Sequence, residues 1–162
     1  MRRSIALAAL LAALAPPAAR AEHAKLTLEI HAPGGKQETA FVDQTPPASG
    51  KNPRPVLKVK AGDALKVKWV FTNVYPHKTL EHVVMHFYVA KIDKVGQKDL
   101  PALDDDVELE TAFDMDFKPG AKAGARARLT LDEPGVYLVR VESKETGSDH
   151  EHFAAIDVVV ER

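Results

Sequence analysis

The sequence predicts an all-β protein, a sandwich of seven to nine strands. Apolar and polar residues alternate with period two through most of the chain, as in ALKVKWVFT (64–72), and two is the period of a strand with one buried face. The alternating runs are bounded by Gly, Pro and Asp clusters at the spacing expected of a sandwich. No run reads as a helix, and repeats and low-complexity tracts are absent.

The chain opens with MRRSIALAALLAALAPPAARA. Arg2 and Arg3 give a positive start, Ile5 to Ala15 is too short to span a bilayer, and Ala19-Arg20-Ala21 is an A-x-A cleavage site, so residues 1–21 are expected to be a signal peptide. The arginine pair also hints at twin-arginine export, since it is the minimal form of that signal. The expected product is an exported protein, periplasmic or secreted, with one domain over 22–162, or 141 residues. Losing Arg2, Arg3 and Arg20 leaves 19 basic and 23 acidic residues, a net of −4, which argues against nucleic acid or anionic lipid as the main partner. No later run is apolar enough for membrane insertion, and with no cysteine the fold has no disulfide.

The strands follow in order. KLTLEIH (25–31) points Leu26, Leu28 and Ile30 one way, and QETAFV (37–42) follows as an edge strand. The Pro-rich stretch 43–55 cannot lie in a central strand. VLKVK (56–60) precedes the clearest strand, 64–72, where Leu65, Val67, Trp69 and Phe71 face in. After a loop, HVVMHFYVAKI (82–92) is almost continuously apolar or β-branched, as a central strand would be. A long acidic connection (93–106) leads to VELETAFDMDF (107–117), with Val107, Leu109, Phe113, Met115 and Phe117 expected inward and Glu108, Glu110, Asp114 and Asp116 outward. KPGAKAG reads as a turn, ARARLTL (125–131) as a strand, and VYLVRVE (136–142) and HFAAIDVVVE (152–161) as the last two. Lys58, Lys60, Lys66 and Lys68 are expected to form one complementary outer face.

The final segments, DEPGVYLVRVES and FAAIDVVVE, resemble the closing hairpin of immunoglobulin-like and cupredoxin-like sandwiches with Greek-key connections. The resemblance implies that Tyr137, in the Pro-Gly-x-Tyr step, bonds back to nearby backbone through its hydroxyl. VKAGDALKVKWVFTN resembles the cupredoxin strand that enters the first ligand loop, where an Asn and then a His usually follow; Asn73 and His77 stand there. The cysteine of a blue-copper site would fall near Val141 and is missing, so electron transfer is not carried over.

LEHVVMHFYV (80–89) places His82, Met85 and His86 in one apolar run. On a helix the two histidines would stack, but on a strand four residues span about 13 Å, too far for one ion held by bonds near 2 Å. There is no HExxH motif, and Met85 belongs with the core face. His150 and His152, two apart, would point to one side with Cα atoms about 6.7 Å apart. They could hold copper or zinc if His82 or His86, with His77 as a further ligand, met them across the sheet. The plainer reading is a solvated His150, a strand-starting His152 and a hydrogen-bonded His86. Glu22-His23 would head the exported chain as a disordered tip with at most weak copper affinity, and the acids of 104–116 match no calcium-loop spacing.

Nothing marks catalysis. Cysteine is absent, no serine has the G-x-S-x-G context, and no glycine loop would cradle phosphate. Two readings remain. In the broader one the chain is a non-catalytic binding or interaction module whose loops 73–81, 93–106 and 143–151 touch a protein or glycan. In the alternative it is a copper- or zinc-binding protein in metal handling, built on His82, His86, His150 and His152 with His77 in reach.

Overall fold

The computed structural model describes residues 24–42, 54–98, 107–145 and 151–162. The expected signal peptide, and with it His23, lies outside those residues, as does His150. Nine strands form among them: β1 (Ala24–His31), β2 (Gln37–Val42), β3 (Val56–Lys60), β4 (Ala64–Asn73), β5 (Leu80–Ile92), β6 (Val107–Phe117), β7 (Lys122–Thr130), β8 (Gly135–Glu145) and β9 (Glu151–Glu161). They make two sheets, ordered β2-β1-β4-β7 and β3-β9-β8-β5-β6. This is the predicted β-sandwich. Pairing is antiparallel except between β3 and β9, which run parallel. No helix among the described residues is long and apolar enough to cross a membrane.

Alternation sets which residues meet between the sheets. Leu26, Leu28 and Ile30 of β1 and Leu65, Val67, Trp69 and Phe71 of β4 pack against Val83, Met85, Phe87 and Val89 of β5 and the even positions 154–160 of β9. Burying a side chain such as Leu28 fully is worth roughly 1.5–3 kcal/mol, which makes this layer the main stabilising element. β5 reads as apolar on both faces because Tyr88, Ala90 and Ile92 join Leu138 and Ala155 in a second cluster on the outer face of the five-stranded sheet.

Three expectations need correcting. Leu109 and Met115 stand on the inward side of β6 but are not buried: each is 41% exposed. β6 is an edge strand, and the four-stranded sheet opposite ends at β7, whose inward residues include the small Ala123 and Ala127 with Leu129, all only partly buried. Phe113 and Phe117 reach across, stacking on Trp69 at 5.4 Å and tilting against Phe71 at 4.6 Å. Lys58 and Lys60 do not share a face with Lys66 and Lys68, because β3 and β4 lie in different sheets. The turn before β7 is shorter than expected, since Lys122, Ala123 and Gly124 already pair with β4.

Candidate functional site

Of the predicted histidines that are described, His77, His82 and His152 lie toward one end of the sandwich and His86 midway along β5, and the five-stranded sheet separates His152 from His86. β4 finishes and β5 begins at that end, where the β6–β7 and β8–β9 connections also lie. His77 is exposed in the loop between β4 and β5. His82 sits where the β5–β6 register shifts between Leu80 and Val83. It has φ of 50°, an unusual backbone for a residue with a Cβ. Its amide donates to Asp116 Oδ1 at 2.9 Å, and its Nδ1 is 3.6 Å from Asp114 Oδ2.

His86 lies one row further along β5, opposite Glu142, with Nδ1 3.6 Å from Glu142 Oε1. This is the outer face. The same carboxylate accepts from Arg140 Nε at 2.7 Å, and the Arg140 guanidinium lies 4.1 Å from the Phe153 ring centroid. Glu142 thus sits between an imidazole and a cation.

His152 faces the other way. It pairs with Ser143, which pairs with Met85, and all three are buried on the inner face. His86 and His152 therefore cannot share an ion, because the sheet lies between them. Among the described residues no three His, Asp or Glu side chains are grouped to hold a metal. His82 and His86 do share the outer side, but each has its own carboxylate.

The residues singled out by resemblance are placed clearly. Tyr137 Oη donates to the Glu133 carbonyl at 3.1 Å, the expected corner. Val141 is fully buried in the inner layer. Asn73 is a structural pin: its Nδ2 donates to the Lys78 and Phe117 carbonyls at 2.8 Å each, and its Oδ1 accepts from the Tyr75 amide at 2.9 Å. The Asn73 backbone also pairs with Gly120 and Ala121, tying down the β6–β7 turn.

Two features escaped sequence reading. One is a buried ion pair. Asp157, fully buried, accepts from Arg54 Nε at 2.8 Å and from the Gly96 amide at 2.6 Å, while Arg54 Nη2 also reaches the Gln97 carbonyl at 2.7 Å. A lone acid inside the apolar run AAIDVVV was the available signal, since a buried carboxylate needs a partner. The other is a cleft of about 330 Å³ at the β6–β7 side, of mixed character, lined by Val89, Leu109, Leu129 and Leu131 together with Thr130, Asp132, Glu133 and Tyr137.

No family model matches the chain, and no curated protein does. Solved structures give distant likenesses. The soluble domain of PmoD from Methylocystis sp. aligns over 84% of this chain and 90% of its own, at 13% identity and a TM-score of 0.43. A family 123 glycoside hydrolase from Clostridium perfringens aligns over 70% of this chain at 12% identity and a TM-score of 0.43, and this chain spans 24% of its length. An AA10 lytic polysaccharide monooxygenase from Streptomyces lividans aligns over 65% of this chain and 59% of its own, at 20% identity and a TM-score of 0.34. Likenesses this distant assign no function; the class defined by the coordinates is an all-β sandwich of four plus five strands.

Proposed function

We propose that the chain is an exported, non-catalytic binding module that takes an extended segment of a partner protein along β6. The observation supporting this is the open β6–β7 side. Among the described residues β6 pairs only with β5, so its other edge offers backbone groups to an added strand. Its inner side presents Leu109, which lines the cleft, and Met115 further along the strand, each 41% exposed. Its outer side presents Glu110, Asp114 and Asp116, all exposed. A complementary strand carries apolar residues at alternate positions with Lys or Arg between them, since opposite charges on paired strands attract.

Peptide-display selection against the protein, repeated with Leu109→Asp/Met115→Asp, tests this. Enriched peptides should show that alternation and should lose binding to the double variant. The variant should fold normally, with a stability change within about 0.5 kcal/mol, as exposed substitutions usually give. Selected peptides that bind both proteins equally would refute the reading, as would a selection that enriches none.

A second reading, transition-metal binding in metal handling, draws on His77, His82 and His152, which lie on segments reaching the same end of the strands, His82 on the outer side of the five-stranded sheet and His152 on its inner face. It excludes a shared role for His86 with His152. Titration of Cu(II), Cu(I) and Zn(II) into wild type and His152→Ala tests it, and equal binding to the two would remove His152 as a ligand.

A further inference from the structure

We infer that the outer face of the four-stranded sheet is a docking surface for an anionic glycan. This goes beyond the β6 reading and uses a different face. The β4–β7 register sets Lys66 directly opposite Arg128 and Lys68 opposite Arg126. Like charges directly opposite on paired strands repel. Lys68 is partly neutralised by Glu29, 3.3 Å away on β1. Lys66, Arg126 and Arg128 are exposed and form no ion pair among the described residues.

Protecting an edge from aggregation needs charge but not charge of one sign. Alternating signs would protect β7 equally and would stabilise the pair. Acids are available in the sequence, but among the described residues Glu29 alone stands on this face, whereas β6, the edge of the other sheet, presents Glu110, Asp114 and Asp116. The separation of signs therefore costs stability on β4–β7 and leaves a cationic face, which suits a ligand carrying carboxylates or sulfates.

The neighbouring row argues for a sugar. Phe41 of β2 is 74% exposed, and the register continues from it through Thr27 and Val70 to Gly124. Four strands at about 4.8 Å spacing make this row roughly 14 Å long. It starts at an aromatic ring, on which the C–H face of a sugar can stack, and ends beside Arg126. A Cβ at Gly124 would strike the Trp69 carbonyl, so this end of the row stays low. The chain's net charge of −1 opposes long-range attraction of duplex nucleic acid and of a polyanionic glycan alike, so the choice of a glycan rests on the exposed ring of Phe41, since a duplex keeps its base faces stacked inside and a sugar offers its C–H face.

Heparin (sulfated) and alginate (carboxylated) are the probes, titrated into the full exported chain over a salt series, with duplex DNA as competitor. Binding to at least one glycan is expected, weakened at least about tenfold, or some 1.4 kcal/mol, in Arg126→Gln/Arg128→Gln. The log–log salt slope should fall by roughly one unit per cation removed, by analogy with polyanion binding generally. Phe41→Ala should weaken binding without changing that slope. Lys66→Glu should weaken binding yet raise Tm, because it sets a carboxylate opposite Arg128. Failure to bind either glycan overturns the inference, as does unchanged affinity in the arginine variant. Duplex DNA binding as tightly as the better glycan would overturn the assignment to a glycan, and unchanged affinity in Phe41→Ala would remove the stacking contribution.

Discussion

The two sides of the sandwich are closed by different means. On the β2–β3 side, β3 lies against β9, β2 packs over both, and Arg54 locks the segment before β3 onto the buried Asp157. On the β6–β7 side the sheets part. One end is pinned by Asn73 and the other opens into the cleft. Stability is concentrated where the side is sealed, and exposed apolar surface where it is not. Function is more readily placed on the second side, because a surface that must receive a partner cannot already be filled.

The contrast can be broken most strongly from the closed side. Arg54→Ala leaves Asp157 buried without its cation and should cost about 3–5 kcal/mol, measured by chemical denaturation. Asn73→Ala attacks the pinned end of the open side. It strands two carbonyls and one amide, and should cost about 1–3 kcal/mol, with faster amide exchange in residues 117–121. If Asn73→Ala proved more costly than Arg54→Ala, the distinction between the sides would be reversed.

The smallest effect comes from the rim of the cleft. Lys91 holds the Glu133 carboxyl below 4.5, its ordinary value, first by a side-chain hydrogen bond of 2.9 Å and then by charge attraction. A carboxyl with a lowered folded-state pKa contributes stability above its ordinary value and loses it as pH falls through the lowered one. Glu133→Gln should therefore lower Tm slightly at neutral pH, and the difference should vanish in acid. Both groups are well exposed, so a large effect at any pH would mean the cleft rim is more tightly built than its geometry shows.

Period-two alternation located every strand and most of the core, because a half-buried strand writes its inward face directly into the sequence. It failed at β6, where Leu109 and Met115 alternate correctly but face an opposite sheet that ends one strand short. How far a facing sheet extends depends on non-local strand order, which no local window contains. The histidines show the same limit. Spacing along a strand argues against His82 and His86 as a self-contained pair, but only the β5–β8–β9 register reveals that His86 and His152 look away from each other. Likewise Lys66 and Arg128 lie far apart in the chain, and pairing alone makes them neighbours.

The parallel pairing of β3 with β9 has a temporal consequence. The last of the nine strands to emerge is the one inserted between β3 and β8, so Leu57 and Val59 lack their flanking strand until residues 151–161 are present. A chain emerging from its amino end would hold an open seam beside β3 until β9 has followed. Such long-range closure is slow, which makes this seam one of the last parts of the sheet to be completed.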